Sequence, residues 1–210
     1  MIQVDTYYYS IQKRVFDLTL SLILLIFLFP LFLVLAVCIV IDDGYPVIFK
    51  QKRMGKHKKD FTIFKFRTMK KGSEKKQASF QKINQAPYPM FKIEDDPRFT
   101  NLGSLLSKLG IDELPQIINI LKGEMSFIGP RPLPTYESKK LDETWDFRYT
   151  VKPGIISEWA LNKDRYKSLK KWKALEINSF KKGSSINDMY LVYSALVKVT
   201  LKKLIKKIFV

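Results

Sequence analysis

The apolar positions of this chain are unevenly distributed. Between residues 18 and 41 every position is apolar except Thr19, Ser21 and Pro30. Read as a helix at 1.5 Å per residue, this stretch is roughly 36 Å long, enough to span a bilayer. It exceeds the apolar core of a cleavable signal peptide, and Asp42-Asp43-Gly44 follows where a small-residue cleavage site would stand. It is therefore read as a retained membrane segment. Lys13 and Arg14 precede it, while Lys50, Lys52 and Arg53 follow. Positive charge on both flanks assigns no crossing direction and suits both ends on the cytoplasmic face. Pro30 cannot donate to the Ile26 carbonyl, which predicts a bend at the centre. A re-entrant helix over residues 15–41, broken near Pro30, fits these features; a tilted span with a proline kink is the alternative.

Further along, Pro46-Val47-Ile48-Phe49 and Phe61-Thr62-Ile63-Phe64-Lys65-Phe66 predict short strands joined through a lysine-rich turn with Gly55. Residues 70–86 are polar without periodicity and predict an exposed excursion. Apolar spacing predicts helices over 99–109 and 113–121, interrupted near Gly110, and another over 169–180. Residues 130–134 are proline-rich, and residues 136–150 are polar around Trp145, Phe147 and Tyr149. Over residues 191–210, Val197, Leu201, Leu204, Ile205 and Ile208 group against Lys198, Lys202, Lys203, Lys206 and Lys207 at helical spacing. That is a basic amphipathic helix suited to an anionic lipid surface, or else a core-packed terminal helix with a solvated lysine face. An N-terminal arm over 1–14 carries Tyr7, Tyr8 and Tyr9 and is expected at the headgroup level. The expected fold is α/β mixed (α+β). It comprises the arm, the membrane helix, a small helix-rich catalytic domain over 42–190 lying on the membrane interface, and the terminal helix.

Charge and composition narrow the chemistry. Lys and Arg number 37 against 20 acidic residues, a formal charge of +17. Such an excess calls for a polyanionic partner: nucleic acid, anionic lipid or a phosphorylated substrate. No zinc-finger spacing or RNA-binding aromatic motif supports nucleic acid. One cysteine, Cys38, excludes an intramolecular disulfide and a cysteine metal cluster. The one histidine, His57, lies in the basic run Gly55-Lys56-His57-Lys58-Lys59 and reads as a solvated loop residue. Chemistry is thereby left to carboxylates.

The carboxylates that stand out are Asp112 and Glu113, followed by Leu114 and Pro115. Proline is tolerated in a first helical turn, so Asp112 reads as an N-cap and Glu113 as a first-turn acid. A helix N-terminus also collects phosphate, and a carboxylate there can hold Mg²⁺ or attack phosphorus. In Gly129-Pro130-Arg131-Pro132 the prolines stiffen the backbone that presents a guanidinium suited to phosphate; alone it is equally a rigid turn. Strand alternation would place Lys65 and Arg67 together on one face, either to serve phosphates or as the wet side of a half-buried strand.

Taken in order, Lys13-Arg14-x-Phe16-Asp17, Pro46 through Gly55, Lys65-Phe66-Arg67-Thr68-Met69, Asp96-Pro97-Arg98-Phe99-Thr100, Ile111-Asp112-Glu113-Leu114-Pro115-Gln116, Leu121-Lys122-Gly123-Glu124-Met125-Ser126 and Gly129-Pro130-Arg131-Pro132 resemble the bacterial sugar transferase family, the small monotopic phosphoglycosyl transferases. The resemblance covers roughly residues 13–160. It implies that Asp112 and Glu113 are the catalytic dyad and the ligands of Mg²⁺. Asp112 would attack the β-phosphate of a UDP-sugar, release UMP and hold the phosphosugar covalently. A polyprenyl (undecaprenyl) phosphate would then take it, initiating glycan assembly. Arg131 would bind phosphate, with Lys65, Arg67, Lys108 and Arg165 as further phosphate-binding positions. The enzyme would sit in the bacterial inner membrane, in contact with lipid, with its catalytic domain on the cytoplasmic face. The sequence leaves a homodimer open.

The chain also departs from the family pattern. Ser107 stands where an arginine is usual, with Lys108 beside it, and Phe29 stands where a serine usually precedes the anchor's proline. After Lys152-Pro153-Gly154-Ile155, residues 156–165 differ from the family stretch, with Trp159 and Arg165 as the retained positions. A non-catalytic, membrane-tethered basic protein, or an impaired family member acting as an assembly partner, is the alternative.

Overall fold

The computed structural model describes residues 4–162 and 165–208, with side chains as far as residue 197. The expected lysine face of residues 198–207 lies outside the described side chains. In chain order the elements are α1 (Ile11–Asp43), β1 (Ile48–Met54), β2 (Asp60–Phe66), α2 (Asn101–Leu109), α3 (Ile117–Leu121), β3 (Ser126–Ile128), α4 (Thr135–Ser138), β4 (Gly154–Ile156), α5 (Glu158–Leu161), α6 (Leu169–Phe180) and α7 (Ser185–Ile208). Between them run 3₁₀ segments, notably Ser73–Ile83, Ile111–Gln116 and Glu143–Tyr149. Mixed helices with a small hairpin sheet are the architecture expected; the second, parallel sheet of β3 and β4 is not among the elements read from the sequence.

Helix α1 begins when the Ser10 hydroxyl accepts from the Lys13 amide, a side-chain N-cap. It continues through Pro30 to Asp43. The break expected near Pro30 is absent: α1 runs through Pro30 as one element, with the proline on its exposed side, where its missing N–H removes one intrahelical bond. One stripe, Lys13, Asp17, Ser21, Leu35 and Ile39, is buried against the rest of the chain. The opposite side exposes Ile26, Phe27, Phe29, Val34, Val37 and Ile41, with Pro30 among them. The helix is long and apolar enough to cross a membrane. Leu20 and Leu24 pack on the cluster of Ile63, Ile120, Met125, Phe127, Ile128 and Leu191. Phe32, Leu35 and Ile39 pack with Phe66 and Leu106, the Phe32 and Phe66 rings meeting edge-on at 5.4 Å. Both halves of α1 thus rest on the domain that follows.

Strands β1 and β2 form the expected antiparallel hairpin, Ile48 opposite Phe66 and Met54 opposite Asp60. Strands β3 and β4 pair in parallel, Ser126 with Gly154 and Ile128 with Ile156. Where these two chains meet, a Cβ on Gly154 would lie 2.1 Å from the Gly129 nitrogen, and one on Gly129 would lie 2.5 Å from the Lys152 oxygen. Only glycine permits that approach.

A third cluster is aromatic. Trp145, Phe147, Trp159, Trp172 and Phe180 are buried together, with Trp159 stacked on Trp172 at 4.5 Å. Trp145 and Phe147 come from the polar stretch 136–150, whose Glu143–Tyr149 3₁₀ turn brings its aromatic residues inward. The divergent 156–165 stretch contributes Trp159, so its packing serves the core. The N-terminal arm also packs on the domain: Tyr8 donates to the Ser179 carbonyl (2.9 Å) and Tyr7 to Asp188 Oδ2 (3.1 Å). Only Tyr9 of the three is exposed. Residues 70–86 form the largely exposed segment expected, here coiled as Ser73–Ile83.

Candidate active site

Helix α2 stops at Gly110, whose φ of 72° is the left-handed conformation of a helix C-terminus. The chain then turns directly into Ile111–Gln116. Gly110, not Asp112, is the residue before this turn, so Asp112 and Glu113 both fall in its first turn. Glu113 Oε1 accepts from Lys65 Nζ at 2.7 Å and from Arg131 Nη2 at 2.8 Å. Burial pushes the Glu113 carboxyl up, but Arg131 and Lys65 outweigh it and hold the group well below the usual carboxylate range. Glu113 in turn holds the Arg131 guanidinium firmly protonated.

Asp112 differs from its neighbour. The residue is 8% exposed, and among the described residues the donors at this site, Lys65 and Arg131, bond Glu113 and none bonds the Asp112 carboxylate. Burial raises its pKa to about 6, with Lys65 pulling down, Glu113 pushing up and Arg131 pulling down. Two adjacent acids thus have opposite environments. One is fixed between two cations; the other is desolvated, unpaired and beside them.

The cations are held from behind. Asn119, fully buried, accepts from the Phe64 amide (3.1 Å) and donates to the Thr62 carbonyl (2.7 Å), tying α3 to β2 on either side of Ile63. Lys65 is thereby registered against the acidic turn. For Arg131, Gly154 N donates to the Pro130 carbonyl (2.9 Å), Arg148 Nη2 to the Arg131 carbonyl (2.7 Å) and Arg53 Nη1 to the Pro132 carbonyl (2.9 Å). Three successive carbonyls are occupied by fixed donors, so the proline-stiffened loop has little freedom. Arg148 is itself fixed by Glu176 (3.0 Å), an ion pair with both side chains 2% exposed. Burial lowers the Arg53 pKa to about 10, Arg131 adding to the effect.

Of the residues named from sequence, the structure brings together Asp112, Glu113, Lys65 and Arg131. Arg67 does not join them. It lies one residue past β2, pairs with Asp43 Oδ2 (3.3 Å) and donates to the Asp43 and Gly44 carbonyls, tying the end of α1 to the hairpin. The ladder continues to Arg67, whose amide donates to the Val47 carbonyl (2.8 Å), but its guanidinium is taken up by the end of α1. Lys108 pairs with Asp95 at the surface (2.6 Å). Arg165 donates to the Ala160 carbonyl (3.1 Å) and, through its own carbonyl, accepts from Trp159 (2.8 Å). Sequence reasoning missed Lys92, whose pKa is lowered by burial and then by Arg131 and Lys65. It also missed Arg53, Arg148 and Glu176, whose partners are distant in sequence. Lys92 is set by Asn84, whose Oδ1 accepts from the Lys92 amide at 2.8 Å.

A desolvated carboxylate beside clamped cations can receive an anionic group and act on it. The chain matches the family described as bacterial sugar transferase over residues 8–202. It is 34% identical over 198 residues to the exopolysaccharide production protein ExoY of Sinorhizobium fredii, covering 92% of this chain and 88% of that one. It is 36% identical over 154 residues to the undecaprenyl-phosphate galactose phosphotransferase of Salmonella typhimurium, covering 71% of this chain and 32% of that protein. A UDP-N-acetylgalactosamine-undecaprenyl-phosphate N-acetylgalactosaminephosphotransferase of Aeromonas hydrophila is 40% identical over 155 residues, with 72% and 34% covered. The chain therefore spans about a third of the length of these two phosphotransferases and most of ExoY. The chain belongs to the bacterial sugar transferase family and is an enzyme of that type.

Proposed function

We propose that the chain moves a sugar-1-phosphate from a UDP-sugar to a polyprenyl phosphate through a covalent intermediate on Asp112. The observation that carries this reading is the inequality of the two neighbouring acids. Glu113 is saturated by Lys65 and Arg131, whereas Asp112 is buried and accepts no bond from the described residues. A desolvated carboxylate is a better nucleophile than a solvated one, and the two cations beside it attract the diphosphate. First, an Asp112 oxygen bonds to the β-phosphorus while the bond from that phosphorus to UMP breaks, UMP leaving with the electron pair. Then an oxygen of the polyprenyl phosphate attacks the same phosphorus, and Asp112 departs as carboxylate. Lys65 and Arg131 neutralise the charge that gathers on the phosphoryl oxygens. Relatives whose names specify undecaprenyl phosphate support the acceptor, and one that names UDP supports the donor.

Asp112 and Glu113 Oε2 offer Mg²⁺ two protein oxygens. Among the described residues no cluster of three or more metal-ligating side chains adds to them. The pair fits Mg²⁺ once substrate phosphates complete its coordination, the usual arrangement for this ion. Bound there, Mg²⁺ would neutralise the diphosphate and improve UMP as a leaving group.

The exposed apolar side of α1 supports insertion in the membrane. Both helix halves resting on one domain support a re-entrant path that keeps the site on the cytoplasmic face with UDP-sugars. The test is UMP release by nanodisc-held protein with Mg²⁺, undecaprenyl phosphate and a panel of UDP-sugars. Without acceptor, intact mass should increase by one sugar phosphate in the wild type and stay unchanged in Asp112→Asn. UMP release without the adduct would favour direct transfer; no release with any donor would overturn the activity.

A further inference from the structure

The start of α1 reaches into the segments that carry the site. Arg14 is a fork: Nη1 donates to the Ile120 carbonyl at 2.7 Å and Nη2 to the Leu121 carbonyl at 3.0 Å. These are the last carbonyls of α3, a five-residue helix that continues directly from the Ile111–Gln116 turn. The Ile118, Asn119 and Ile120 carbonyls also accept from the amides of residues 122–125, so Arg14 adds a second donor at Ile120 and supplies the donor at Leu121, and a cation is favoured at a helix end. One turn later Asp17 Oδ1 accepts from Ser126 Oγ at 3.0 Å and the Phe127 amide at 3.1 Å. Those residues open β3, which runs straight into Gly129-Pro130-Arg131-Pro132. The Asp17 carboxylate is 2% exposed and is held by Lys13 Nζ at 3.1 Å; the same ammonium reaches Asp188 of α7 at 2.7 Å. Two side chains one turn apart on the membrane helix therefore grip the two segments from which Asp112 and Arg131 are presented.

We infer that Arg14 and Asp17 are positioning residues for the transfer reaction, so that the membrane helix is part of the active-site framework as well as an anchor. The inference rests on the activity proposed above. Without Arg14 the Leu121 carbonyl loses its donor and Ile120 keeps the Gly123 amide (2.9 Å), so the end of α3 is released from α1 and the turn carrying Asp112 is freed relative to Lys65 and Arg131. Misplacement of a reacting group by about 1 Å can cost on the order of a hundredfold in rate.

The experiment uses full-length protein in nanodiscs, with turnover expressed per inserted molecule. Wild-type UMP release comes first: its absence would defeat the proposed activity, not this inference. With an active wild type, Arg14→Met and Asp17→Asn are expected to lower kcat at least about tenfold while KM for the UDP-sugar moves less than about threefold. Arg14→Lys keeps the charge but not the fork, so its kcat should fall between wild type and Arg14→Met. Hydrogen exchange should quicken over residues 111–121 in Arg14→Met and stay unchanged over 169–180. A merely anchoring role would lower the inserted fraction and leave kcat per inserted molecule and local exchange as in wild type, which would overturn the inference. If Arg14→Met does not insert, Arg14→Lys decides: a wild-type kcat in that variant overturns it.

Discussion

At the residue scale the site is two acids, adjacent in sequence and opposite in surroundings. The nucleophile must be ionised, and burial places its pKa at about 6. UMP release is therefore expected to be near its maximum above pH 7 and to fall about tenfold per pH unit below 6, read from kcat/KM of the free enzyme. A flat profile between pH 5 and 7 would contradict the assignment. The same shift has a stability side. A carboxyl whose folded pKa exceeds its ordinary 3.8 disfavours the fold when ionised. The penalty is absent below the ordinary value, grows as pH rises toward 6 and is complete above it. Asp112→Asn removes that penalty, so at pH 7.5 it should abolish turnover and stabilise the protein by about 1–3 kcal/mol, seen as a higher Tm. An unchanged or lower Tm would show that Asp112 is better solvated than its burial implies.

At the element scale, two loops and a hairpin are locked to one another by buried polar side chains. The Arg148–Glu176 pair carries much of that. Arg148→Met leaves Glu176 in the aromatic core without its cation and is expected to cost about 3–5 kcal/mol. Arg148→Met with Glu176→Leu should recover most of the Tm but not the turnover, because the Arg131 carbonyl still lacks its donor. Recovery of both would mean that the donor is irrelevant to the loop. This explains what the sequence could and could not disclose. The hairpin, the stop at Gly110 and α6 were legible, because alternation, turn residues and helical spacing are local signals. Asp112, Glu113 and Arg131 were legible only as an ordered series of motifs. Lys92, Arg53 and the Arg148–Glu176 pair were not, since each is defined by a partner far along the chain. Arg67 misled because its partners lie at the end of α1, which alternation along the strand does not show, and Trp145 was hidden because a 3₁₀ turn in a polar stretch has no apolar period to read.

At the scale of the whole molecule, one long apolar helix lies along one domain and is fastened to it at both ends. Arg14 and Asp17 hold its start, and Arg67 holds Asp43 at its finish. A re-entrant path predicts that cysteines introduced at Ile11 and Asp42, in a Cys38→Ser background, react with an impermeant thiol reagent from the same side of sealed vesicles. Labelling from opposite sides would establish a crossing helix instead.

The contact between Gly129 and Gly154 has a consequence for descent. A Cβ at either position meets backbone, at 2.1 Å from one glycine and 2.5 Å from the other. Backbone cannot be trimmed by a compensating substitution, so neither position has a neutral neighbour in sequence space. Lineages can exchange the residues that select one sugar over another while these two positions stay unchanged. Members that use different donors should therefore share both glycines, even where most of the surrounding loop has been replaced.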